Sequence, residues 1–100
     1  VPAATITFKD NILVIDGELN FQTIPDLWQA SLPLLTRASP IVIDCAGIAA
    51  ANSGALALLL EWIKYAKEVQ KPLQFKQLSP QILSIAEIAG IKDLIQSYCF

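Results

Sequence analysis

Residues 41–60 read Ile-Val-Ile-Asp-Cys-Ala-Gly-Ile-Ala-Ala-Ala-Asn-Ser-Gly-Ala-Leu-Ala-Leu-Leu-Leu, and three kinds of local structure meet in them. Ile41-Val42-Ile43-Asp44 is a short apolar run introduced by Pro40, and it predicts a central strand covered on both faces. Cys45 to Asn52 are mostly small residues and are expected to form a loop. From Ser53 to about Gln70 the pattern is helical, and Pro72 closes it, since proline lacks a backbone donor and pushes its predecessor out of the helical region. Open α/β sheets gather ligands where strands hand over to helices, so function is expected between Asp44 and Leu60.

Working outward, Ala4 to Phe8 alternates as a strand, Lys9-Asp10-Asn11 makes a polar turn, and Ile12 to Ile15 forms a second strand that ends at Asp16-Gly17. So short a connection cannot carry a parallel crossover, so these strands pair antiparallel. Thr23 with Asp26 three residues on is a capping signature for a helix to about Thr36, with Pro25 in its first turn. Pro33 in its interior predicts a kink or an early end. A fourth strand follows at Leu73 to Lys76. Ser79-Pro80 then opens a helix with Ile82, Ile85, Ala86 and Ala89 on one face and Gly90 beyond its end, and Ile91 to Ile95 makes a further short turn. The order β-β-α-β-α-β-α predicts one α/β domain over residues 1–100, a mixed four-stranded sheet with its first strand antiparallel, packed with three to four helices.

Composition narrows the chemistry. At 100 residues and 54% hydrophobic, the chain can bury its own core without disulfides. It contains no His, which removes the usual general base, the Ser/His/Asp arrangement and most zinc sites. A formal charge of -2 is no footprint for nucleic acid. Cys45 and Cys99 stand far apart in apolar company, the pattern of free thiols in a reducing, cytoplasmic compartment. The apolar run Ala46 to Leu60 is interrupted by Gly47, Asn52, Ser53 and Gly54 and stops at Glu61, short of the roughly 20 residues that a spanning helix needs. The sequence begins at Val1 and contains no Met, so an initiator residue is expected upstream. A phosphate-binding glycine loop would continue with Lys-Ser/Thr where Ala55-Leu56 stand, and the carboxylates Asp16, Glu18 and Asp44, all near strand ends, either converge in space as an acid/base set or, the plainer reading, are solvated loop carboxylates. No enzyme, cofactor or metal is expected.

Ser53 places a hydroxyl at the start of a helix, where free N–H groups and the positive end of the dipole attract anions, so a phosphoryl group would be accommodated there. The plainer role for Ser53, or for Asn52, is an N-cap worth about 1 kcal/mol. The helix that follows has two apolar seams. Leu56, Leu59, Ile63 and Ala66 form one, and Leu58, Trp62, Tyr65 and Val69 the other, with Glu61, Lys64 and Glu68 on a narrow polar strip. Either the second seam meets a protein partner, or both seams are buried and a neighbouring helix covers the second.

Together, Gly17-Glu18-Leu19, the Ile41-Val42-Ile43-Asp44 strand, Asn52-Ser53-Gly54-Ala55-Leu56 and Leu58-Leu59-Leu60 resemble the STAS domain family. Within it, Asn52 to Leu60 is similar to the Asp-Thr-Gly-Gly-Leu-Ala-Leu-Leu-Leu of MlaB-like subunits of bacterial phospholipid-transporting ABC complexes, and Trp28 adds to the likeness. Two positions depart: Asn52 stands for the Asp and Ser53 for the Thr. In anti-sigma-factor antagonists the pattern is Asp-Ser-Ser-Gly, and the position of the phosphorylated Ser is Gly54 here. The resemblance implies a non-catalytic interaction subunit, cytoplasmic and peripheral to the inner membrane, that docks on the transporter's ATPase and supports outer-membrane lipid asymmetry. Its partner-binding or regulatory residues would be Asn52, Ser53, Gly54, Leu58, Trp62 and Tyr65. The alternative implied is an anti-sigma-factor antagonist that switches partners on phosphorylation, with Ser53 as the candidate acceptor.

Overall fold

In the computed structural model, which describes residues 4–99, strands β1 (Thr5–Lys9) and β2 (Ile12–Leu19) form an antiparallel hairpin. Only Asp10 and Asn11 lie between them. Both have positive φ, 52° and 64°, which suits the twist of a two-residue hairpin, and Asp and Asn tolerate it better than other side chains. Helix α1 (Ile24–Arg37), strand β3 (Ile41–Ala51), helix α2 (Gly54–Glu68), strand β4 (Leu73–Lys76), helix α3 (Pro80–Ile88) and the short helix α4 (Lys92–Gln96) follow in that order. The sheet order is β1-β2-β3-β4, antiparallel at the first pair and parallel at the other two, as expected.

Three expectations are corrected. The small residues after Asp44 are strand, because β3 runs on to Ala51 while β2 continues past Ile15 to Leu19, and the two extensions pair as Asp16 with Gly47, Gly17 with Ile48, Glu18 with Ala50 and Leu19 with Ala51. Non-local pairing overrides the weak strand propensity of alanine. Two register shifts bend this ladder, with Gly17 at φ 104°, and Gly47 is bare because a Cβ there would fall 2.7 Å from the Ile15 backbone carbonyl, which cannot swing aside. Second, α1 does not end early at Pro33 but continues to Arg37. Pro33 and Gln29, whose carbonyl loses its donor, are both exposed, so water replaces that bond. Third, β3 is covered on one face alone. Ile41, Ile43 and Cys45 are buried beside Leu13, Ile15, Leu73 and Phe75, whereas Val42, Asp44, Val14 and Gln74 on the opposite face are half-buried.

The helices seal the covered face. Leu27 and Leu35 of α1, Leu59 and Ile63 of α2, Ile82 of α3 and Ile95 of α4 all lie in the core, and each such side chain contributes about 1.5–3 kcal/mol by leaving water. Two polar ties fix the helices against one another. The buried Ser31 hydroxyl donates to the Trp28 carbonyl (2.7 Å) and accepts from Trp62 Nε1 (3.1 Å), pinning α1 to α2. Lys71, just before β4, donates from Nζ to the carbonyls of Leu35 (3.0 Å), Thr36 (3.0 Å) and Ala38 (2.7 Å). A cation thus closes the negative end of α1 from a remote loop. At the other edge the tail covers β4, with Phe75 N donating to Tyr98 O at 2.8 Å and the two rings edge to face.

Two predictions follow from these contacts. Lys71→Met keeps the aliphatic stem but leaves three helix-end carbonyls without their cation, and should cost about 1–3 kcal/mol in urea unfolding. Burial pushes the Cys45 thiol up to about 12, with Asp44 and Cys99 adding in the same direction, whereas an unfolded thiol ionises near 9.0. The folded state therefore holds its proton longer, and this contribution to stability is intact below pH 9.0 and is lost as pH rises towards about 12. Unfolding of Cys45→Ala, measured from about pH 8 to about pH 11, should show a shallower alkaline decline than the unmodified chain, by up to about 1.4 kcal/mol per pH unit.

Candidate functional site

The extended β2–β3 ladder ends in two adjoining turns, and the candidate surface is built on them. Asn52 N donates to Leu19 O at 3.0 Å, so the turn entering α2 is held against the end of β2. From the other side Gln81 of α3 accepts from Ala51 N through Oε1 at 3.3 Å. Asn52 provides the side-chain cap, its Oδ1 accepting from Gly54 N at 2.8 Å. Ser53 is exposed, takes helical backbone angles (φ -61°, ψ -19°), and its hydroxyl makes no capping hydrogen bond. The cap is thus Asn52, and the Ser53 hydroxyl is left facing solvent.

The turn entering α1 has a similar exchange of roles. Thr23, whose spacing to Asp26 resembles a capping box, makes no side-chain cap. Its hydroxyl instead accepts from Asn20 N (3.0 Å) and donates to Glu18 O (2.8 Å), while Asn20 Oδ1 accepts from Gln22 N (2.9 Å) and Thr23 N (3.0 Å). These bonds brace a tight turn whose apex holds Phe21, 68% exposed. Phe21 lies next to the start of α2. A Cβ on Gly54 would sit 3.1 Å from Phe21 Cδ1, 3.0 Å from Ile24 Cδ1 and 3.0 Å from Asn52 Oδ1, so a side chain at position 54 would crowd all three.

The expected residues separate accordingly. Asn52 and Ser53 are exposed together, and Gly54 is buried beneath them. Leu58 and Trp62, each 1% exposed, offer no surface to a partner, which decides between the two readings of the second seam. α2 is flanked by both α1 and α3 and buries the whole of the first seam with Leu58 and Trp62 of the second, while Tyr65 is half-buried and Val69 is exposed. Tyr65 is half-buried, its hydroxyl 3.5 Å from Thr36 Oγ1, and with Trp28, Glu61, Lys64 and Glu68 it lines a small cleft of about 110 Å³ between α1 and α2. The outward stripe is instead Ser53, just before α2, with Ala57, Leu60, Glu61, Lys64, Lys67 and Glu68 along it. Phe21 and Leu60 were missed from the sequence. The available signal was an aromatic set between Asn20 and Gln22 in a polar turn, where no core position is due.

The carboxylates do not assemble. Asp16 stands beside Gly47, Glu18 pairs with Ala50, and Asp44 accepts from Ala46 N at 3.0 Å. Among the described residues no three Cys, Asp or Glu side chains gather as a metal-ligand set, and no helix is long and apolar enough to cross a membrane. What the site offers is a contact surface: one exposed aromatic, a free hydroxyl, an Asn-capped helix start and a mixed helical stripe.

A family model described as "Mlab, STAS domain" matches residues 3–96. An anti-sigma-B factor antagonist of Staphylococcus epidermidis is 29% identical over 93 residues, spanning 91% of this chain and 86% of the relative. Among solved structures, the anti-sigma factor antagonist SpoIIAA in its unphosphorylated form superposes with a TM-score of 0.71 at 14% identity, over 98% of this chain and 86% of that one. A STAS domain protein from Planctomyces limnophilus superposes with a TM-score of 0.61 at 18% identity, over 88% and 81% of the two chains.

Because Trp62 holds α1 to α2, Trp62→Ala should lower stability by about 3–5 kcal/mol in urea unfolding and broaden the loss to the whole fold. A variant that stayed as stable as the unmodified chain would contradict its place in the core.

Proposed function

The chain belongs to the STAS domain family, and from that premise we propose that it is a non-catalytic interaction subunit that docks on the cytoplasmic ATPase of a phospholipid-transporting ABC complex and supports outer-membrane lipid asymmetry. Its contact surface is the start of α2, with Asn52 and Ser53 at the centre and Tyr65 at the periphery. The observation that carries this reading is Gly54. The antagonist pattern places its phosphorylated serine at this position, and here the residue is a buried glycine, crowded by Phe21 and Ile24. The Asp-Thr-Gly-Gly pattern of MlaB-like subunits has glycine at the same place. A surface without a switchable hydroxyl at that point suits a standing subunit contact.

The second reading is an anti-sigma-factor antagonist that switches partners on phosphorylation. The S. epidermidis relative supports it, as does the exposed Ser53 hydroxyl, one residue before the antagonist position. A phosphoryl group on Ser53 would bring about -1.5 to -2 charges to the α2 N-terminus, where it would be electrostatically tolerated by the helix yet would alter any interface built around a neutral serine.

Calorimetric titration of the purified ATPase subunit with this protein should show binding, and Ser53→Asp should weaken it about tenfold or more by placing an unpaired charge in the interface. An absence of ATPase binding, together with phosphate added to Ser53 by the native anti-sigma kinase in intact-mass analysis, would decide for the second reading.

A further inference from the structure

Phe21 leaves most of its ring in water while sitting on one of the best-braced turns of the molecule. It adds little to the core. Four side-chain hydrogen bonds from Asn20 and Thr23 hold the backbone beneath it, so little backbone entropy remains to be lost when the ring is gripped. The ring rests against the start of α2, where the absent side chain of Gly54 makes room for it. It is therefore continuous with Asn52 and Ser53. The outward stripe of α2 continues from there through Ala57 and Leu60.

We propose that Phe21 is the apolar anchor of this surface, a displayed ring that enters an apolar pocket on the ATPase partner, with Gly54 as the seat that sets its position. The inference rests on the proposed function and deepens it by naming what the partner must provide. Large aromatic side chains on preorganised backbone dominate protein interfaces when a ring of polar neighbours excludes water around them. Gln22, next to Phe21 in the chain, and Asn52 and Ser53, which lead into Gly54, are all exposed and supply such a rim. A lipid surface is the poorer match, since attraction to anionic headgroups needs clustered Lys or Arg, and the exposed charges nearest in sequence are Asp16 on β2, Asp26 on α1 and Glu61 on α2.

The test is calorimetric titration of the purified ATPase with the unmodified protein, Phe21→Ala, Phe21→Leu, Gly54→Ala and the Phe21→Ala/Gly54→Ala pair, alongside thermal melts. Phe21→Ala should weaken binding about 30-fold while the melting temperature stays unchanged, and Phe21→Leu should lose less. Gly54→Ala should weaken binding by displacing the ring, and should cost less once the ring is gone, since only the crowding of Ile24 and Asn52 then remains, a coupling that a purely structural glycine would not show. Binding of Phe21→Ala within about threefold of the unmodified protein would overturn the anchor and leave the proposed function standing. Flotation with anionic phospholipid vesicles that depends on Phe21, with ATPase affinity unaffected, would overturn it in favour of a lipid contact. Should the protein bind the anti-sigma kinase and not the ATPase, the function reading fails, and the same variants titrated against the kinase decide the anchor by the same thresholds. Binding to neither partner would overturn both.

Discussion

The parallel pairing of β2 with β3 beyond Gly17 and Gly47 is the constraint on which the rest depends. Without that extension the two chain segments would part after Ile15 and Cys45, and the turns that open α1 and α2 would have no reason to meet. The extension needs a bare position at Gly47, because the Ile15 backbone carbonyl lies too close to where a side chain would be, and it needs the positive φ of Gly17 to absorb a register shift. Asn52 then closes the ladder on Leu19. One consequence is that Phe21 and Ser53, 32 positions apart, belong to one surface.

A second consequence concerns α2. Its N-terminus is fixed by the ladder, and α1 and α3 pack on either side, so the helix has only a narrow outward stripe. The first apolar seam goes into the core together with Leu58 and Trp62 of the second, and the Trp62–Ser31 bond aligns α2 with α1. Lys71 aligns α1 from its other end. These ties are polar contacts within an apolar framework. They add directional preference to packing that hydrophobic burial alone leaves free to slide.

For function, the division of labour among three consecutive residues matters most. Asn52 satisfies the backbone, Ser53 is left free for contact, and Gly54 yields its space to Phe21 and Ile24. The antagonist pattern Asp-Ser-Ser-Gly differs from this stretch at Asn52 and Ala55 as well as at Gly54. Fold likeness to SpoIIAA is compatible with either reading of function, since a fold hosts several jobs and the site chooses among them.

Local patterns in the sequence determined much of the architecture. The hairpin at Asp10-Asn11, the Ser79-Pro80 start of α3, β4 from Leu73 to Lys76 and the mixed sheet with its antiparallel first strand are all consequences of turn chemistry, capping and short-range hydrophobic periodicity, and such signals lie within a few neighbouring residues. The helix start at Asn52-Ser53 was legible for the same reason. Tertiary structure alone decided that the alanines of β3 are strand, that Pro33 is harmless on a solvated face, that Leu58 and Trp62 are core, and that Phe21 stands beside Gly54. Each of those outcomes depends on a partner segment distant in the chain, and periodicity within one segment carries no information about which neighbour will cover it.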